Sequence, residues 1–227
     1  MTRARIGVLA SGGGSNLQAL IDYFAQLGNA RAGDIVVVAT DRPDAGALER
    51  ARRAGIPTAV VASKRMPDGR DLSAVLAEHD VHLIVLAGYL QFIPAELTHR
   101  YSGRVLNVHP ALLPDFGGPG MYGARVHRAV LAAGARTSGP SVHFVDEVYD
   151  HGPVIARWPV PVRPDDDEHS LAARVLRAEH LLYPRVVQAV AAGDVRLTPD
   201  GRVDPPFVLD RRTLPPLDPE LADAQTA

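Results

Sequence analysis

The chain has 227 residues, of which 46% are hydrophobic and 22% are charged, so it can bury the core of one α/β domain. Its formal net charge of -2 provides no basic surface for nucleic acid or an anionic membrane. The absence of cysteine excludes disulfides, thiolate catalysis and zinc-thiolate sites. No signal-peptide pattern precedes the first strand, and no apolar stretch approaches the roughly 20 residues of a spanning helix, so we expect a cytoplasmic protein.

Apolar segments alternate with amphipathic segments through the first half of the chain. The predicted strands and helices, in chain order, are Ile6–Ala10, Leu17–Leu27, Ile35–Thr40, Ala45–Ala54, Thr58–Ala62, Asp71–Glu78, Val81–Ala87, Pro94–Tyr101 and Val105–Val108. Repeated strand and helix units with short connections are typical of a parallel sheet. We therefore predict a Rossmann-like α/β fold, with a mostly parallel open sheet flanked by helices.

The second half of the chain follows a different pattern. Ser141–Val145 and Val154–Val162 are predicted as antiparallel strands, and two prolines in the second segment favour an edge or bent strand. A long helix is predicted over residues 168–192, after an acidic run that suits the positive end of the helix dipole. We predict one catalytic domain over residues 1–197 and a proline-rich extension over residues 198–227.

The end of the fifth predicted strand carries two polar side chains, Asn107 and His109, immediately before Pro110. Alternate strand residues point to the same side, so the amide and the imidazole emerge together. Open α/β sheets bind ligands at the carboxyl ends of their strands. This pair therefore predicts a site with an oxyanion donor beside a proton carrier.

A glycine-rich loop, residues 11–16, joins the first strand to the first helix. Backbone amides and the helix dipole at such a junction favour an anion, and a phosphate is the natural ligand. The dinucleotide fingerprint would require glycine where Leu17 stands, and the P-loop lysine is absent. Asp41 could still act as the ribose-binding acid of a dinucleotide site. A tight turn capped by Ser15 or Asn16 is the structural alternative.

Carboxylates that could orient His109 lie in the loop after the Ser141 strand. Asp150 is preferred over Asp146 and Glu147 because it stands at a Gly-Pro turn near the expected carboxyl edge. His143 is predicted to be a buried core histidine. No histidine pair has the helical spacing of a zinc site, so we expect no metal.

Glu179 lies on an apolar stripe of the long helix. Its carboxylate is expected either to pair with Arg174 or Arg177 at the rim, or to receive a ligand amine or hydroxyl.

Several linked motifs, in order, resemble the phosphoribosylglycinamide formyltransferase family up to about Leu197. These motifs are Ser11-Gly12-Gly13-Gly14-Ser15-Asn16-Leu17-Gln18, Leu86-Ala87-Gly88-Tyr89, Leu106-Asn107-Val108-His109-Pro110-Ala111-Leu112-Leu113-Pro114, Ser141-Val142-His143-Phe144-Val145, Asp150-His151-Gly152-Pro153-Val154-Ile155 and Glu179-His180. The resemblance implies formyl transfer from 10-formyltetrahydrofolate to glycinamide ribonucleotide in purine synthesis, without a metal.

The resemblance also assigns roles within the predicted site. Asn107 would donate a hydrogen bond to the oxyanion, His109 would stabilise charge and carry the proton, and Asp150 would hold His109 and favour its protonated form. The ribonucleotide would bind at Gly14, Ser15, Asn16 and Glu179. The folate would bind along Leu90, Gln91, Phe92 and Ile93, beside Asn107 and with Arg70 nearby.

This chain departs from the family pattern at three positions around the folate pocket. Gln91 stands where arginine is common, and His151 and Pro140 replace small residues. Residues 115–124 form a longer glycine-rich segment, which we call the flap and expect to close the site. His127, just after it, is expected either to help closure or to lie on a helix surface.

Three other functions are alternatives to the transferase. Formyltetrahydrofolate deformylase uses the same Asn, His and Asp constellation, but it normally carries an N-terminal regulatory domain, which has no room before Arg5. Methionyl-tRNA formyltransferase needs a basic surface for tRNA. A phosphate-sensing Rossmann module would leave the polar cluster unused. The expected partners are small molecules, and the chain is expected to be a monomer or homodimer.

Overall fold

The computed structural model describes residues 2–64 and 66–210. The strands are Ala4–Leu9 (β1), Gly33–Thr40 (β2), Thr58–Val60 (β3), Leu83–Leu86 (β4), Val105–His109 (β5), Thr137–Ser138 (β6), Ser141–Phe144 (β7), Val154–Arg157 (β8), Val160–Pro161 (β9), Arg196–Leu197 (β10) and Val203–Asp204 (β11). The helices are Ser15–Leu27 (α1), Gly46–Arg53 (α2), Leu72–Glu78 (α3), Ala95–Arg100 (α4), Ala124–Ala132 (α5) and Glu168–Ala192 (α6), with a 3₁₀ turn at Gly28–Ala30.

The main sheet of the described part has the strand order β3-β2-β1-β4-β5-β7-β8. The strands from β3 to β5 are parallel, whereas β7 runs antiparallel to β5 and β8 runs antiparallel to β7. This arrangement confirms the predicted fold class. The chain leaves β1 towards β2 and later returns to β4 on the other side of β1, which creates the crevice where such folds bind ligands.

Two local predictions differ from the structure. The segment expected to be one bent strand is divided into β8, at the edge of the main sheet, and β9, which pairs with β6. Trp158 lies between them and is fully buried, and Pro159 cannot donate to a strand ladder. The expected side-chain cap of α1 is also absent, because Gly14 occupies the N-cap with a φ of 74°.

The helix α6 packs across one face of the sheet and fixes the carboxyl ends of β4 and β5. The Tyr183 hydroxyl is buried and lies 3.0 Å from the Leu86 carbonyl oxygen and 3.1 Å from that of Leu106. Glu179 is one helical turn earlier on the same helix, so this anchor places its carboxylate beside the strand ends.

The chain after α6 adds a short antiparallel pair, β10 and β11, whose flanking Phe207 and Leu209 pack against the main core. The predicted division into residues 1–197 and 198–227 stays a prediction. Residues 211–227 of that extension lie outside the described residues.

Candidate active site

A cavity of about 390 Å³ opens at the carboxyl ends of β4 and β5. Its walls come from these strand ends, the flap, the loop after β7 and one side of α6. Among the predicted site residues, the cavity is lined by Asn16, Leu90, Gln91, Phe92, Ile93, Asn107, His109, Asp150 and Glu179. The tertiary structure therefore brings together side chains from both halves of the chain.

One wall carries a buried polar cluster of four side chains. The Asn107 amide nitrogen donates to Asp150 Oδ1 at 3.4 Å and lies 3.1 Å from His143 Nε2. His109 Nδ1 lies 3.4 Å from Asp150 Oδ2. Asn107 and His143 are directly opposed in the β5–β7 register, which explains why these two side chains meet.

His143 was expected to be a core histidine. It is indeed 1% exposed, and its Nδ1 lies 2.8 Å from the Phe144 carbonyl oxygen, but its Nε2 faces the polar cluster and the ring lines the cavity. The sequence placed His143 within a strand, but only the antiparallel register could show that this strand lies beside Asn107.

The electrostatics of the cluster favour a charged Asp150. Burial raises its pKa, but His143, the charge of His109 and the Gly118 amide outweigh that effect, so the pKa lies below its usual range. For His109, burial lowers the pKa, while the charge of Asp150 and the Phe116 carbonyl act in the opposite direction without overcoming it. The charge of Asp150 thus favours the protonated ring, while burial opposes it.

The flap is tied directly to this cluster. His109 Nε2 lies 2.9 Å from the carbonyl oxygen of Phe116, and the Gly118 amide donates to Asp150 Oδ2 at 3.0 Å. Both ring nitrogens of His109 therefore face acceptors, Asp150 and Phe116. This arrangement suits a ring that gains and loses a proton, because contacts and burial favour opposite forms.

A second polar pair lies across the cavity on α1 and α6. The Asn16 amide nitrogen donates to Glu179 Oε2 at 2.6 Å. Burial raises the pKa of Glu179 to about 7, although the hydrogen bond from Asn16 acts against it. Arg174, one expected partner of Glu179, is bound instead to Asp166 at 2.6 Å. Glu179 therefore lines the cavity with its carboxylate held by Asn16, and it is not the partner of Arg174.

The glycine loop brings the chain tightly around the start of α1. Gly14 has a left-handed φ, and a Cβ there would lie 2.8 Å from the Cα of Ala47. Asn16 lines the main cavity, whereas Ser15 lines a separate groove on the outer side of α1 together with Arg50 and His180.

The segment from Leu90 to Ile93 forms the outer wall of the cavity. Leu90 and Phe92 are 48% and 45% exposed, whereas Ile93 is buried. The ring of Phe92 lies 5.0 Å from the ring of Tyr149, which follows β7. The mouth of the cavity is therefore apolar and aromatic, suited to a flat ring system.

Arg70, like Gly14 and Ser15, is an expected site residue that does not line the cavity. The side chain of Arg70 forms an ion pair with Glu78. His127 shows the opposite behaviour: it is 4% exposed, lines the cavity, and has an Nδ1 without a hydrogen-bond partner among the described residues. Burial lowers its pKa to about 4. The surface position considered for His127 is therefore wrong.

Within residues 2–64 and 66–210, no group of three or more carboxylate and imidazole side chains is arranged to hold a metal ion. No helix in that part of the chain has the length and apolar character needed to cross a membrane.

Residues 4–187 match the formyl transferase family, and the chain belongs to that family. It is 45% identical over 204 residues to the chloroplastic phosphoribosylglycinamide formyltransferase of Arabidopsis thaliana, covering 88% of this chain and 69% of that protein. The Vigna unguiculata protein of the same name is 42% identical, and the match spans 88% of this chain and 64% of that protein. The phosphoribosylglycinamide formyltransferase structure from Anaplasma phagocytophilum has a TM-score of 0.78 and 38% identity, with 89% of this chain and 94% of that chain covered.

Proposed function

We propose that this chain transfers the formyl group of 10-formyltetrahydrofolate to the primary amine of glycinamide ribonucleotide. The products are formylglycinamide ribonucleotide and tetrahydrofolate, a step of purine synthesis. The carrying observation is the buried cluster of Asn107, His109 and Asp150 in the wall of a cavity that also reaches Asn16 and Glu179. The relatives' names support the same reaction.

The chemistry follows from the positions of these groups. The substrate amine attacks the formyl carbon, and a tetrahedral oxyanion forms. The Asn107 amide donates a hydrogen bond to that oxygen by exchanging its long 3.4 Å contact with Asp150 Oδ1. His109 takes the proton from the attacking nitrogen and returns it to the folate nitrogen as the carbon–nitrogen bond breaks. The Phe116 carbonyl must release Nε2 before that atom can carry the proton.

The other groups in and around the cavity suit one or the other of the two substrates. The amides at Gly14 and Ser15 suit the ribonucleotide phosphate, because they lie at the positive end of α1. Asn16 and Glu179 suit its polar ribose and amine groups. The backbone of residues 90–93 suits the polar edge of the pterin, and the Phe92 and Tyr149 rings suit the aromatic part of the folate.

The test mixes purified protein with 10-formyltetrahydrofolate, with and without glycinamide ribonucleotide, and follows folate product spectroscopically. Ribonucleotide-dependent turnover that is lost in His109→Ala and Asp150→Asn supports the proposal. Turnover without the ribonucleotide indicates a deformylase instead. Binding of the ribonucleotide without any turnover indicates a phosphate-sensing module.

A further inference from the structure

Asp41, the acid after β2 that could have served a dinucleotide ribose, is committed to other contacts. It is 1% exposed, and both carboxylate oxygens accept hydrogen bonds. Oδ1 accepts from the Ser11 hydroxyl at 2.5 Å, and Oδ2 accepts from the Gln91 amide nitrogen at 2.9 Å. The carboxylate therefore does not present its oxygens to a ribose.

Ser11, which is hydrogen-bonded to Asp41, is also hydrogen-bonded to the backbone of the cavity wall. Its hydroxyl oxygen accepts a hydrogen bond from the Leu90 amide at 2.9 Å, and its own amide donates to the Gly88 carbonyl at 3.0 Å. Asp41 thus holds the segment after β4 in two ways, through the Leu90 backbone by way of Ser11 and through the Gln91 side chain.

Apolar packing holds this segment at Tyr89, which is half-buried against the core, and at Ile93. Leu90 and Phe92 are nearly half exposed, and Gly88 has a φ of 75° that gives the chain a sharp turn. Ile93, at the far end, is the buried anchor. At Leu90 and Gln91 the backbone conformation therefore depends on the polar contacts to Ser11 and Asp41, and the Ser11–Asp41 hydrogen bond that supports them is buried and correspondingly strong.

We propose that Asp41 is a positioning residue for the folate cosubstrate. By holding Gln91 and, through Ser11, Leu90, it fixes the wall segment against which the folate binds, without touching the ligand itself. This inference rests on the proposed function, because it assigns the folate to that wall.

The test exchanges the carboxylate and the amide between positions 41 and 91, first by adding a carboxylate at position 91. Gln91→Glu places a second carboxylate against Asp41, and like charges at this distance repel. We expect KM for 10-formyltetrahydrofolate to rise about tenfold, the size typical of losing a buried charged hydrogen bond. The kcat and the KM for the ribonucleotide should stay within about twofold of wild type, because Gln91 lies in the folate wall, Asp41 lies behind it, and neither is bonded to the Asn107 cluster.

Adding Asp41→Asn to the Gln91→Glu protein should restore that KM, because the new amide can donate to the introduced carboxylate. Asp41→Asn alone should change little, since the Gln91 amide can turn its oxygen towards a donor. Gln26→Glu is the matched control: it adds the same charge on the exposed side of α1.

The possible outcomes separate this inference from the proposed function. An unchanged folate KM in Gln91→Glu would overturn it, as would a raised KM that Asp41→Asn fails to correct, because Gln91 would then act on the ligand directly. Calorimetric measurement of tetrahydrofolate binding by wild type and the same four variants makes this comparison without turnover. Wild-type protein that binds tetrahydrofolate but transfers no formyl group would contradict the proposed function. The comparison of binding among the variants would then still decide whether Asp41 positions the folate wall.

Discussion

His109 Nδ1 lies 3.4 Å from Asp150 Oδ2, and the two side chains are 3% and 10% exposed. Water therefore screens their interaction poorly, and the state of one controls the state of the other. The residues are 41 positions apart, at the end of β5 and in the loop after β7, and the antiparallel pairing of these strands brings them together.

Replacing Asp150 with asparagine should slow catalysis by about 10²-fold, in the range for loss of acid–base support. The carboxylate raises the pKa of His109 against the effect of burial, so its removal should lower that pKa further. His109 takes the proton of the attacking nitrogen in its neutral form, so activity is lost as the pH falls through the His109 pKa, and the acid limb of the kcat profile should move to lower pH. Glu147→Gln, a change at an exposed acid of the same loop, serves as the control, and an unshifted profile in Asp150→Asn would contradict the coupling.

Glu179 should make the protein less stable as the pH rises. Its folded pKa of about 7 lies above the usual value of 4.5, so the folded state binds the proton that the unfolded state has released. Stability should fall between about pH 4.5 and pH 7, by about 3 kcal/mol for a full shift of this size, and then level off.

Glu179→Gln should abolish this pH dependence, because the amide has no proton to lose while its oxygen can still accept from Asn16. Urea unfolding of both proteins at pH 5, 6, 7 and 8 measures how the free energy of unfolding depends on pH. The same variant should raise KM for the ribonucleotide. An identical pH slope in both proteins would show that Glu179 titrates normally.

Gly14→Ala should weaken ribonucleotide binding and destabilise the fold. The left-handed φ alone costs a non-glycine residue about 1–2 kcal/mol, and the new methyl would lie 2.8 Å from the Cα of Ala47. Gly12→Ala is a matched comparison, because a Cβ there meets no atom within 4 Å and the φ is not positive. Thermal unfolding and ribonucleotide titration should therefore separate the two variants, and equal behaviour would argue against a tight loop.

Asp166→Asn should destabilise the start of α6 by about 3 kcal/mol, because Arg174 would lose its buried counter-charge. Burial opposes ionisation of Asp166, but Arg174, the Arg163 amide and Ser170 outweigh it and lower the pKa to about 2. This stability is present above the usual pKa of 3.8 and should be lost as the pH falls from about 4 to 2, to the extent of about 2 kcal/mol.

Urea unfolding at pH 7 and at pH 3 measures this contribution. Asp165→Asn, at an exposed neighbour, should have little effect on the free energy of unfolding. If both variants lost equal stability, the Asp166–Arg174 pair would not be the cause.

The sequence by itself determined the α/β architecture and the positions of Asn107 and His109. Strand and helix periodicity are local properties, and the two-residue repeat of a strand places these side chains on one side before any packing is known. It also indicated that a carboxylate from the loop around Asp150 would face His109, since that loop follows the strands expected at the carboxyl edge.

The tertiary structure alone decided which distant groups meet. The register of β5 with β7 set His143 beside Asn107, the packing of α6 against α1 set Glu179 against Asn16, and the return of the chain to β4 set Gln91 against Asp41. Such contacts depend on strand order and helix docking, which follow from burial summed over the whole core rather than from any short segment. The family resemblance placed Arg70 near the folate, and the tertiary structure shows that its side chain pairs with Glu78.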